Sequence, residues 1–106
     1  MPVRPLYLDR QGQPMEMEAW ARAFDDTESR RIGNTVLSDG TEISTVWLGL
    51  DHGSPNGPPL IFETMVFCSN RDGELECERY TTEEEARAGH EAMVAKRMAT
   101  VEHRNQ

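Results

Sequence analysis

Two apolar segments separated by a loop rich in glycine and proline constrain the fold of this protein more than any other feature. Residues 45–50 and residues 60–67 each form a nearly continuous apolar run. Runs of this length are typical of buried β-strands. The intervening residues, 51–59, contain two glycines and three prolines, which disfavour both helix and strand. The sequence therefore predicts two core strands joined by a long surface loop.

Turn signals place two further strands around this pair. Asp39 and Gly40 predict a type I′ hairpin turn between strands at 34–38 and 41–50. The second of these strands is apolar on both faces, so we expect it inside the sheet. Asp72 and Gly73 predict another tight turn, between strands at 60–68 and 74–80. A two-residue loop there places Cys68 opposite Cys77, and a three-residue loop shifts the pairing by one.

Helical patterns flank this four-strand region. After a short candidate strand at 6–8 and Pro14 as a first-turn residue, apolar residues recur at helical spacing in a segment from about residue 15 to between 26 and 30. Thr82 and Glu85 form a capping box that starts a second helix, which reaches about residue 101. The prediction is a single α+β domain over residues 1–106, with a mainly antiparallel sheet of four to five strands and two helices packed on one face.

Composition excludes several functional classes. The chain has 106 residues and a net charge of −8. Binding to nucleic-acid phosphates requires a basic surface, so we expect no direct contact with nucleic acid. No apolar run approaches the roughly 20 residues of a membrane-spanning helix. With no signal peptide at the N-terminus, we expect a cytoplasmic protein with reduced thiols and no membrane association.

The loop at 51–59 is the predicted binding surface, because surface loops carry a large share of functional residues. The residues expected to contact a protein partner are Asp51, His52, Ser54, Pro55, Asn56 and Pro58. An alternative for Asp51 is a purely local role, in which its carboxylate caps the turn.

A second hypothesis is a small hydrolase-like enzyme that uses Asp51, His52, Glu63 and His90. For His90, on the apolar side of the second helix, the alternative is a packed ring with satisfied nitrogens. For Glu63, in an apolar strand, it is an ion pair with Arg79 or Arg97. The adjacent Gly89 predicts a close helix–strand approach, against Trp47 or Phe62.

Known motifs for cofactors and metals are missing from the sequence. The two cysteines and the three histidines do not have the spacing of a zinc site, and no phosphate-binding glycine loop or G-x-S-x-G nucleophile motif occurs. We therefore predict no metal and no cofactor.

Several segments together resemble a known family. They are residues 44–52, 57–67 and 79–86, followed by Gly89-His90 and Met93-Val94, and the similarity extends over roughly residues 6–97. These strings are similar to a family of small uncharacterised proteins of bacteria, notably actinobacteria, and of their phages. The resemblance implies a phage or mobile-element setting and no particular activity. The predicted function is a small acidic accessory protein that binds a protein partner without catalysis; the alternatives are the enzyme above and an acidic inhibitor that mimics nucleic acid.

Overall fold

The computed structural model describes residues 6–53, 56–67 and 74–104 of the chain. The elements within these ranges are α1 Met17–Asp25, α2 Thr27–Arg30, β1 Arg31–Val36, β2 Glu42–Trp47, β3 Phe62–Phe67, β4 Glu74–Tyr80 and α3 Glu83–Arg104. None of the helices in this described part is long and apolar enough to cross a membrane.

The strands form one four-stranded antiparallel sheet in the order β1-β2-β3-β4, so strands that are consecutive in sequence are neighbours in space. The predicted α+β class with a mainly antiparallel sheet is confirmed. β2 lies inside the sheet, as its two apolar faces predicted. α3 packs on one face and contacts all four strands.

The core lies between α3 and the sheet. In β2 the side chains alternate between buried and half-buried, and the buried ones face α3. Two clusters of buried apolar side chains fill this layer, one formed by Leu8, Trp47, Ile61, Phe62 and Ala86 and the other by Ile43, Val66 and Met93. Burying each large apolar side chain contributes about 1.5–3 kcal/mol to the free energy of unfolding, which makes this layer the main source of stability.

The N-terminal segment differs from its prediction. Residues 6–8 form isolated bridges, Tyr7 with Leu50 and Leu8 with Pro14, and no regular strand. Pro14 therefore precedes α1 and does not occupy its first turn. The predicted single helix is divided at Asp26, whose carboxylate accepts a hydrogen bond from the Ser29 amide at 3.2 Å and so starts α2. A short acidic side chain competes in this way with the helical backbone bonds.

α1 is attached to the end of the sheet by one aromatic side chain. The Trp20 indole Nε1 donates a hydrogen bond to the Leu48 carbonyl at 2.8 Å. The Trp20 ring also packs between Tyr7 and Phe24, with ring centroids 4.8 and 5.0 Å away. These contacts place α1 beside the first buried cluster.

The turn between β1 and β2 contradicts the predicted type I′ geometry. Leu37 N donates to Thr41 O at 2.8 Å, and Gly40 N donates to Leu37 O at 2.9 Å, which encloses three residues and not two. Only Gly40 in this turn has a positive φ, of 89°. Type I′ requires positive φ at both central residues, whereas a three-residue turn with glycine last needs it at one.

The predicted start of α3 is confirmed. The Glu85 amide donates to Thr82 Oγ1 and the Thr82 amide donates to Glu85 Oε1, both at 3.1 Å, which completes a capping box. The helix continues to Arg104, three residues beyond the predicted end.

The predicted pairing of the two cysteines is wrong. Cys77 lies opposite Met65 in the β3–β4 ladder. The ladder contains a register shift between Val66 and Phe67. Phe67 pairs with Glu74, whereas a two-residue turn would have paired residue 71 with Glu74, so counting back from the predicted turn gives the wrong partner. Cys68 and the predicted turn at 72–73 lie outside the described residues.

At Gly89, α3 lies close against the sheet. A Cβ at this position would collide with the ring and hydroxyl of Tyr80 on β4. The predicted close approach of helix and strand is therefore confirmed. Its partner is Tyr80, and neither Trp47 nor Phe62, because Gly89 lies on the side of α3 that is closest to β4.

Gly89→Ala should reduce the free energy of unfolding by more than about 1 kcal/mol, because the added methyl group must displace the Tyr80 ring. Helix propensity alone would change the stability by about 1 kcal/mol in the opposite direction. Chemical denaturation measures the difference. Ala88→Gly, at an exposed neighbouring position, is the matched control for propensity. A Gly89→Ala protein as stable as the wild type would contradict the close contact.

Candidate functional site

The loop at residues 51–59 is closed by the carboxylate of Asp51. Asp51 Oδ1 accepts hydrogen bonds from the Gly53 amide at 2.7 Å and from the Leu60 amide at 3.1 Å. The backbone amide of His52 donates to Leu60 O at 3.0 Å. One side chain therefore fixes both ends of the loop, and the predicted turn-capping role of Asp51 is confirmed.

The loop presents several of the predicted contact residues to solvent. His52, Asn56 and Pro58 are exposed, and Asp51 is half-buried. Ser54 and Pro55 lie outside the described residues. The exposed side chains are thus carried by a backbone that is anchored where it leaves β2 and where it returns to β3.

His90 lies on the side of α3 that faces the sheet. It is buried, with 6% of its surface exposed, and both ring nitrogens contact threonine hydroxyls. Nε2 lies 2.9 Å from Thr35 Oγ1, and Nδ1 lies 2.7 Å from Thr45 Oγ1. Thr45 Oγ1 lies 2.5 Å from Thr64 Oγ1, which accepts a hydrogen bond from the Tyr80 hydroxyl at 3.1 Å. These five residues, here called the histidine–threonine network, connect α3 with every strand of the sheet.

Counting hydrogens gives the direction of each bond in this network. Each hydroxyl has one hydrogen to donate. Because Tyr80 donates to Thr64, the Thr64 hydrogen goes to Thr45 and the Thr45 hydrogen goes to His90 Nδ1. The neutral ring then carries its proton on Nε2 and donates it to Thr35. The reverse order would leave the buried Thr64 hydroxyl without an acceptor in the network, at a cost in free energy.

Burial keeps both titratable groups of the network uncharged at neutral pH. It lowers the pKa of His90 below its ordinary value, because the imidazolium loses more hydration than the neutral ring does. Burial also raises the pKa of Tyr80. The interpretation of His90 as a packed ring with satisfied nitrogens is confirmed.

Glu63 lies on the opposite face of the sheet from His90. The residue is 8% exposed, and its carboxylate accepts a hydrogen bond from Arg79 Nε at 2.9 Å. The Cys77 thiol contacts the same carboxylate oxygen at 3.4 Å. The predicted ion pair with Arg79 is confirmed, while the other predicted partner, Arg97, pairs with Glu76 at 3.2 Å.

The four residues proposed for catalysis do not converge. Asp51 and His52 lie in the loop at one end of the sheet. His90 lies between α3 and the sheet, and Glu63 lies on the face of the sheet away from α3. Each of the last two is already held by hydrogen bonds to neighbouring side chains. In the ranges that the structure describes, there is also no group of three or more histidine, cysteine or acidic residues that could hold a metal.

A cleft of about 400 Å³ opens between the N-terminal turn and the first two helices. Arg10 lies at its rim, where Nε bonds Glu83 Oε1 at 2.7 Å and Nη1 donates to Ser29 O at 2.9 Å. Apolar atoms of Met15 and Trp47 line it as well. None of the predicted site residues lies in this cleft.

Sequence reasoning missed the threonines of the network. Thr45 and Thr64 are fully buried, and each interrupts the buried apolar face of its strand, Thr45 between Ile43 and Trp47 and Thr64 between Phe62 and Val66. That interruption is the signal that was available, since a buried hydroxyl requires a hydrogen-bond partner. The partner itself, His90, is distant in sequence and is identified only by the packing of α3.

Comparison of the chain with protein-family models, with curated proteins and with solved structures gave no match in any of the three. The resemblance to small actinobacterial and phage proteins therefore stays a prediction.

The assigned proton positions predict that nitrogen NMR of His90 at neutral pH detects a protonated Nε2 and an unprotonated Nδ1. Thr45→Val removes the hydroxyl that donates to Nδ1, so His90 Nδ1 and the Thr64 hydroxyl both lose a hydrogen-bond partner. It should lower the free energy of unfolding by about 1–3 kcal/mol. An Nδ1-protonated ring in the wild type would contradict the assignment.

The lowered pKa of His90 predicts a loss of stability in mild acid. The unfolded chain binds a proton near pH 6.5 and the folded chain only at lower pH, so the free energy of unfolding should fall as pH drops below about 6.5. The fall should end once the pH is below the pKa of the folded state. Thermal melts over this range, with His90→Gln to remove the effect and exposed His52→Gln as the control, measure it. An unchanged slope in His90→Gln would assign the effect to other groups.

Proposed function

We propose that this protein binds a protein partner through the loop at residues 51–59 and acts without catalysis. The observation that carries the proposal is the pair of hydrogen bonds that the Asp51 carboxylate accepts from the two ends of the loop. A loop held in this way loses less conformational entropy when it binds. Its exposed His52, Asn56 and Pro58 then supply the contacts.

The prolines of the loop support the same proposal. Pro58 and Pro59 directly precede Leu60, whose amide donates to the Asp51 carboxylate. Proline restricts the backbone further because its φ is fixed. The loop therefore combines a defined backbone with exposed polar and apolar groups, which is a composition suited to a protein interface.

The charge of the chain indicates the kind of partner. A net charge of −8 favours association with a basic protein surface and disfavours nucleic acid. In the proposed setting the protein is a cytoplasmic accessory factor of a bacterium or phage, and its partner is a host or phage protein.

The dispersal of the titratable residues favours binding over the hydrolase-like alternative. A general base and a nucleophile must lie within hydrogen-bond distance of one another or of a common substrate atom. Glu63 and His90 are separated by the sheet, and each bonds to structural neighbours. No observation favours mimicry of nucleic acid over simple acidity.

Replacing residues 53–58 with Asn-Gly should preserve folding and abolish partner capture from an actinobacterial lysate. The double variant His52→Ala/Asn56→Ala should weaken capture while leaving the melting temperature unchanged, because neither side chain closes the loop. Gln11→Ala, an exposed residue of a different turn, is the matched surface control. A folded, loop-shortened protein that captures the same partner at full strength would overturn the proposal.

A further inference from the structure

β1 is an edge strand whose outer backbone groups can be identified. The amide of Leu37 points toward β2 and donates a hydrogen bond to the Thr41 carbonyl at 2.8 Å. Because the direction of backbone groups alternates along a strand, Thr35 and Gly33 also bond toward β2. The amide and carbonyl of Asn34 and Val36 therefore point away from the sheet. Among the described residues, no strand pairs with this edge.

The two edges of the sheet differ in their protection. Charged side chains along an edge strand deter pairing with another chain. β4, at one edge, carries Glu76, Glu78 and Arg79, whereas residues 33–36 of β1 carry no charge and no proline. A bulge at Ile32 limits the open stretch to these four residues. Val36 is 63% exposed there, which adds apolar surface to the open edge.

A cleft of about 360 Å³ runs beside this edge, between residues 32–35 of β1 and Arg87, His90 and Glu91 of α3. Gly33 faces the helix, and a Cβ at this position would lie 3.1 Å from the His90 ring. The His90 ring occupies the space of the missing side chain, and the cleft remains open beside it. A side chain from a strand added next to β1, on the helix side, would enter the cleft.

We propose that β1 accepts an extended segment of a partner protein as a fifth strand of the sheet. Its backbone pairs with Asn34 and Val36, and its alternate side chains enter the cleft between β1 and α3. This surface is separate from the loop at 51–59 and adds a second mode of binding to the proposed function.

Charge defines the chemistry of the segment. The protein carries a net charge of −8, and Glu91 lines the cleft. Arg87, the basic residue of the cleft, contacts Glu83 at 2.7 Å, a carboxylate that it shares with Arg10, so the preference for charge comes from the protein as a whole. The segment is therefore neutral or basic and lacks acidic residues. A second copy of this chain is a poorer occupant, because pairing two β1 strands would bring together two strongly acidic molecules.

The probe is a displayed library of random peptides of about six residues, the usual length of a strand, selected on the immobilised full-length protein. Selection should enrich peptides without Asp or Glu. Asn34→Pro removes one outward amide without breaking a bond to β2 and should weaken their binding by about tenfold or more. Asn34→Ala, which keeps the amide, should bind like the wild type. The loop-shortened protein should also retain the peptides, which distinguishes this surface from the loop.

Amide exchange on the wild-type protein provides a test that does not depend on the proline variant. The Asn34 and Val36 amides should exchange quickly in the free protein and slowly with a selected peptide bound. Four results would overturn the proposal: no enriched peptide, enrichment of acidic peptides, binding that protects other amides, or a dimer in sedimentation that Asn34→Pro abolishes. The last would identify a second copy as the occupant.

Discussion

The position of α3 on the sheet depends on a hydrogen-bonded histidine. Apolar packing alone is tolerant of small rotations and shifts, because many arrangements bury similar areas. His90 restricts that freedom, since its two nitrogens must meet Thr35 and Thr45 at 2.9 and 2.7 Å. A buried polar network that is fully bonded has few alternative arrangements of similar energy. The network therefore selects one position of the helix, and the Gly89–Tyr80 contact shows how closely that position is defined.

Ion pairs attach the same helix near its start and in its second half. Near the start of α3, Glu83 bonds both Arg10 of the N-terminal turn and Arg87 of its own helix, at 2.7 Å each. Further along, Lys96 and Arg97 bond Glu76 of β4 at 2.6 and 3.2 Å. These hydrogen bonds lower the pKa of Glu76 and of Glu83. Pairs exposed to this extent contribute little free energy individually, so they orient the helix more than they stabilise it.

Prediction from the sequence succeeded for some features of this structure and failed for others. The two apolar faces of β2 predicted its position inside the sheet, and the capping box at Thr82 predicted the start of α3, because both signals act through near neighbours in the chain. The type I′ turn and the Cys68–Cys77 pairing failed, since both depended on a turn length that the sequence did not define: the first turn encloses three residues, and the β3–β4 ladder begins at Phe67 and Glu74. The histidine–threonine network depends on contacts between residues far apart in sequence. Local patterns could indicate that Thr64 needs a partner but not which residue supplies it.

The closure of the loop by Asp51 has a consequence for how such a protein can diversify. The carboxylate bonds to backbone amides, which every residue except proline possesses, and not to particular side chains of the loop. Substitutions at exposed positions such as His52 and Asn56 therefore leave the closing bonds intact. In the proposed function, recognition and folding are specified by different residues, so recombination or mutation could change what the loop recognises while the helix–sheet core is inherited unchanged.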